Sequence, residues 1–112
     1  MAGWVPVVDE QDPDWQKCLE IYQATFPKEV PNAYAVAGVI AGEVFAEGLR
    51  RAGRDLTWAK MISSLEAINN WNGVMAKDIN CGPNERAGKI SMYFLKAQDN
   101  QFVTISGWVR PQ

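Results

Sequence analysis

Between residues 32 and 53 the chain alternates apolar and polar positions at helical spacing. Tyr34, Val36, Ala37, Ile40, Val44, Phe45 and Leu49 recur every three or four residues, and read together they form one broad apolar stripe. Glu43, Glu47, Arg50 and Arg51 fall on the polar side, spaced for pairs one turn apart. Ala35, Gly38, Ala41, Gly42 and Ala46 are small enough for another backbone to come close. Asn32 is a residue type that accepts from the free N–H groups of a first helical turn, and Gly53 is the type that ends a helix in the left-handed conformation. The pattern predicts a long helix buried in the side of a layered fold.

The flanking segments supply the other elements. Residues 3–8, GWVPVV, are apolar and β-branched and read as a short strand, with Pro6 placing it at a sheet edge or a crossover. Asp12 is suited to cap a helix whose first residue is Pro13. That helix sets Trp15, Cys18, Leu19, Tyr22 and Phe26 on one face and Asp14, Lys17, Glu20 and Gln23 on the other, and Pro27 ends it. Thr57 is placed to cap a third helix over 58–69, with Trp58, Met61, Ile62, Leu65 and Ile68 on its inner face. Residues 73–88 are rich in Gly, Asn and Pro around one apolar piece, Val74-Met75-Ala76, and read as a loop or irregular crossover. Segments 90–97 and 101–109 are dense in β-formers and flank Asp99-Asn100, a turn pair, so a β-hairpin is expected. The fold class is α/β: an N-terminal strand, three helices and a C-terminal hairpin. At 112 residues the chain is expected to be a single fragment-like domain, with a strand-and-helix part over 3–73 and a crossover and hairpin over 74–112.

Charge and composition narrow the function. A net charge of −2 lacks the basic stripe that a nucleic-acid surface needs. No apolar run is long enough for a membrane span, and the opening residues carry neither a basic n-region nor an apolar h-region, so no signal peptide is expected in this chain. The absence of histidine removes the commonest general base and metal ligand. Asp9, Glu10, Asp12 and Asp14 form the one acidic cluster; it lacks the glycine turn and distal glutamate of a calcium loop and reads as the acid-rich start of a helix. Residues 80–88, NCGPNERAG, match no phosphate-binding loop. With no nucleophile motif and no cofactor loop, a non-catalytic protein without metal or cofactor is expected. Cys18 and Cys81 belong to no CxxC pair; a disulfide between them stays open in an oxidising compartment, beside packing of Cys18 as a small hydrophobe.

Five tryptophans are many for this length. Trp15 and Trp58 sit on helix faces and are expected in the core. Trp4, Trp71 and Trp108 lie outside the helices and are freer to face a cleft or another chain.

Taken in order, the segment from Asp12-Pro13 through Tyr22 to Phe26-Pro27, the run from Pro31 to Tyr34 with Ala46, Leu49, Ala52-Gly53 and Leu56-Thr57, then Gly82-Pro83, Gly88 and the hairpin resemble the C-terminal third of periplasmic solute-binding proteins. The similarity is to the branched-chain amino acid type that serves ABC transporters. It implies the last third of a two-lobed type I binding-protein fold, a small-molecule solute and a transporter permease as partners of the whole protein, and a periplasmic or extracellular location. It carries over no binding residue; Trp4, near where the chain would leave the cleft, is the one ligand-binding candidate.

Two functions follow from different classes. One is a ligand-binding module, part of a transporter's solute-binding protein or of a receptor sensor domain using the same fold. The other is a self-associating structural module that binds no small molecule. Helices that would pack on a sheet this chain does not supply leave apolar surface uncovered, so a homo-oligomer is expected.

Overall fold

The computed structural model describes residues 2–3 and 12–111. The elements are β1 (Ala2–Gly3), α1 (Pro13–Gln23), α2 (Ala33–Ala52), α3 (Trp58–Glu66), β2 (Tyr93–Gln98) and β3 (Gln101–Thr104). This is the α/β order expected: a strand, three helices and a hairpin. The chain divides into two compact units, one of residues 1–37 and 90–112 and the other of residues 38–89.

The first unit is built on an antiparallel sheet of order β1-β2-β3. Ala2 pairs with Phe94 and Gly3 with Tyr93, so β1 lies at a sheet edge. The rest of the strand expected over 3–8 lies outside the described residues. In the hairpin, Gln98 faces Gln101, and the two loop residues Asp99 (φ 51°) and Asn100 (φ 60°) both take positive φ. That is the two-residue turn whose twist matches a right-twisted strand pair, and Asp and Asn accept it readily. The second arm is shorter than the β-former run predicts. The ladder stops after Thr104, and the chain returns to it at Val109, which bridges Met92. Between them the Ser106 hydroxyl accepts from the Phe94 N–H at 2.8 Å, replacing a backbone partner where Ser106-Gly107 bulges out.

Asp12 caps α1 by accepting from Asp14 N–H at 2.9 Å, and Pro13 opens the helix. The helix stops at Gln23, before Phe26, which is left 46% exposed. Among the described residues of this unit, Trp15, Cys18, Pro31, Val36, Ser91, Tyr93 and Leu95 are buried. Trp108 meets Tyr93 edge-on, ring centroids 4.7 Å apart.

The second unit holds most of α2, all of α3 and the segment to Lys89. Asn32 caps α2 through Ala35 N–H at 2.9 Å, and Gly53 ends it at φ 78° with its N–H on Leu49 C=O. Thr57 caps α3 through Lys60 N–H at 3.2 Å; that helix ends at Glu66 rather than Asn69, with Ala67 N–H closing on Ser63 C=O. The helices meet at Gly48, where a Cβ would stand 2.7 Å from Leu65 Cδ2 and 2.9 Å from Met61 Cε.

The broad stripe of α2 is corrected by the structure. At 100° per residue, Val36, Ile40, Glu43 and Glu47 fall within about 60° of one another, while Tyr34 and Phe45 lie nearly opposite. Val36, Ile40 and Glu47 are buried, whereas Tyr34 is 88% and Phe45 57% exposed. The side that helix α2 turns inward therefore carries acids, and two of the expected core residues face out. Trp58 is a second correction. It opens α3, one turn ahead of the contact at Gly48, and is 82% exposed rather than core.

The glycines of α2 separate by what surrounds them. Nothing lies within 4 Å of a Cβ at Gly38 or Gly42. Gly42→Ala is expected to stabilise by about 0.5–1 kcal/mol through helix propensity. Gly48→Leu is expected to destabilise by about 1–3 kcal/mol, because it forces the two helices apart. Urea unfolding with an unchanged m-value checks both.

Candidate functional site

Sequence alone leaves residues 73–88 as irregular backbone, and the structure shows why it is ordered all the same. Trp71 and Ile79 exchange both backbone hydrogen bonds, at 3.1 and 3.0 Å, closing a loop over residues 72–78. Inside it, Gly73 N–H donates to Ala76 C=O at 2.7 Å, and Asp78 N–H donates to Asn72 Oδ1 at 2.9 Å. Lys77 Nζ donates to Gly73 C=O, and Lys89 Nζ to Lys77 C=O. Asn80 reaches both ways, accepting from Asn70 N–H and donating to Asp78. An ion pair, Arg86 to Glu66 at 2.9 Å, ties the far side of the segment to the end of α3.

The decisive anchor comes from α2. The Glu43 carboxylate accepts three consecutive backbone N–H groups, from Val74 (2.7 Å), Met75 (3.0 Å) and Ala76 (2.8 Å). Met75 and Ala76 are buried behind it. Gly73 is required at the same place: a Cβ there would stand 2.9 Å from the Trp71 ring and 3.1 Å from the Glu43 carboxylate.

One turn along α2, Glu47 keeps 8% of its surface and accepts from Arg50 Nε (2.9 Å), Arg50 Nη2 (2.8 Å) and Arg51 Nε (2.7 Å). Arg51 Nη1 goes on to Ala67 C=O at 3.0 Å. Arg50 is itself 72% and Arg51 30% exposed. The hydrogen bonds from Arg50 and Arg51 therefore outweigh desolvation and hold the carboxyl at a pKa of about 2.

Glu43, Ala46, Glu47 and Arg50 lie one turn apart along α2, and with Trp71 they line a cavity of about 270 Å3 open to solvent. The arrangement offers fixed charge, an indole and a methyl floor, which is binding chemistry. Cys81 is half-buried and its thiol pKa is raised, first by burial and then by Glu85, which disfavours the nucleophilic thiolate. No disulfide joins Cys18 and Cys81.

Of the tryptophans freed by the sequence to face a cleft, Trp71 lines this cavity and Trp108 packs on Tyr93. Trp4, the ligand-binding candidate, lies outside the described residues, as do Asp9 and Glu10. Asp12 caps α1, and residues 80–88 turn on themselves through Gly82 and Glu85. The sequence puts Glu43 and Glu47 on the polar side of the helix, away from the apolar stripe. The signal that would have found them is their register with Val36 and Ile40.

Comparison with known families adds one finding: the model of the periplasmic binding protein family matches residues 1–101. The chain belongs to the periplasmic binding protein family. No curated protein and no solved structure gives a match. Membership supports a solute-binding role in transport, generally non-catalytic and periplasmic in setting. Among the described residues no helix is long and apolar enough to cross a membrane.

Two outcomes are expected for this periplasmic binding protein. Glu43→Ala strands three backbone donors and should cost roughly 2–4 kcal/mol in urea unfolding, with Glu43→Gln losing less because one acceptor oxygen stays. Glu47 titrates lower folded than unfolded, so its stabilisation is present above about pH 4.5 and is lost as pH falls toward about 2. Glu47→Gln should flatten that part of the stability–pH curve, read by thermal unfolding from pH 6 down to 2.

Proposed function

We propose that this chain is the C-terminal part of the solute-recognising component of an ABC transporter, with branched-chain amino acids or similar small solutes as cargo and the transporter permease as its partner in the whole protein. The observation that carries the reading is the family match over residues 1–101, together with the residue order from Asp12-Pro13 to the hairpin that resembles the amino acid type. In that reading the solute sits in a cleft between two lobes, and Trp4 is this chain's candidate for its edge. The isolated chain then encloses too little of a ligand for useful affinity. Calorimetric titration with leucine should show no binding tighter than about millimolar, and deletion of the gene should lower leucine uptake. Unchanged uptake of leucine and related solutes would contradict the transport reading.

A second reading is favoured by the exposed apolar side chains. In the second unit Phe45, Leu56 and Trp58 are each at least half exposed, and in the first Ile21, Val30, Tyr34 and Ile105 are. Covering such surface is worth about 25 cal/mol per Å2, and self-association is one way to do it. In this reading the chain is a homo-oligomeric structural module without a ligand. Light scattering at micromolar concentration should report a dimer or larger species, and a monodisperse monomer would contradict it.

A further inference from the structure

The cavity on α2 is a candidate binding site in its own right, contained within residues 43–71 and independent of any cleft between lobes. Its selectivity follows from which polar atoms remain unused. Both carboxylates are committed. Glu43 holds three backbone N–H groups, and Glu47 holds three N–H groups from two guanidiniums. Arg50 and Arg51 balance Glu43 and Glu47 in formal charge, and at the Glu47 end no described residue accepts from Arg50 Nη1. Arg50 is nonetheless fixed, because its Nε and Nη2 are gripped in a two-pronged pair by Glu47. Beside it stand the half-buried Trp71 ring and the Ala46 methyl. A fixed guanidinium with spare donors beside an indole suits an anion that also carries a flat apolar body.

We propose that this cavity binds a small organic carboxylate with a planar apolar body, its carboxylate on the free edge of Arg50 and its ring against Trp71. A volume of about 270 Å3 lies just below the range of drug-sized sites, so the ligand is small. Such an open site holds its ligand weakly and exchanges it fast. An ammonium is disfavoured at the same edge, where the Arg50 guanidinium repels it.

The test is a titration of the whole chain with benzoate, followed by amide and indole N–H shifts in two-dimensional NMR, with benzylamine and benzyl alcohol as controls. Saturable benzoate binding at about millimolar Kd is expected, with the largest shifts at the Trp71 indole N–H and the Arg50 Nε–H and with weakening as salt rises. Neither control should bind as tightly. Arg50→Gln should weaken benzoate at least about tenfold while the amides of 74–76 keep their positions, since Arg51 still holds Glu47. Ala46→Leu, at an exposed position that fills the cavity floor, should weaken it without touching a charge. No saturable benzoate shift, shifts centred away from Trp71 and Arg50, binding unchanged in Arg50→Gln, or benzylamine binding tighter than benzoate would each overturn the proposal.

Discussion

The carboxylate of Glu43 is what the second unit depends on. Residues 72–78 have no regular structure of their own, and three successive backbone donors there must find acceptors or face water. A single side chain from α2 satisfies all three, at 2.7–3.0 Å. A charged acceptor makes stronger hydrogen bonds than a neutral one, and three donors spread its charge as an anion nest does. With the loop pinned, Met75, Ala76 and Ile79 can be buried. The Trp71–Ile79 bridge then closes, and the indole is set over Gly73 beside the same carboxylate. An irregular segment is thereby made into a wall with fixed shape, which is what a binding surface requires.

The same face of α2 carries a second acid for a different purpose. Glu47 orders two arginines, and the arginines remain partly in solvent. Its contribution is therefore positional more than energetic: it fixes the direction of Arg50 and links α2 through Arg51 to the end of α3. Apolar packing does its part nearby at Gly48, where the lack of a side chain lets Met61 and Leu65 approach. Helix α2 is thus a polar scaffold on one stretch and a close-packed helix on the next.

Local chemistry made much of this legible. Asp12, Asn32 and Thr57 each cap the helix expected of them, Gly53 ends α2 at positive φ, and Asp99-Asn100 forms the two-residue turn of the hairpin. These signals act over a few residues and need no tertiary knowledge. The errors have one origin. Burial is decided by partners distant in sequence, so apolar character at Tyr34, Phe45 and Trp58 was a poor guide to which side faces inward. Glu43 bonds to residues more than thirty positions away, and nothing local to either segment announces it. The cavity was half legible: Trp71 stood out as a tryptophan outside the helices, while Glu43, Glu47 and Arg50 read only as the polar side of α2. Family membership was legible from the order of short residue patterns along nearly the whole chain, because order and spacing survive where each piece alone is ambiguous.

Amide hydrogen exchange at Val74, Met75 and Ala76 tests the central claim most directly, because it reads the three donors themselves. If the Glu43 carboxylate holds them, all three exchange at neutral pH as slowly as amides inside α2, although they lie in a loop. Exchange at the rate of an open-turn amide such as that of Asn84 would contradict the account, since the loop would then not be pinned and the wall carrying Trp71 would have no fixed form.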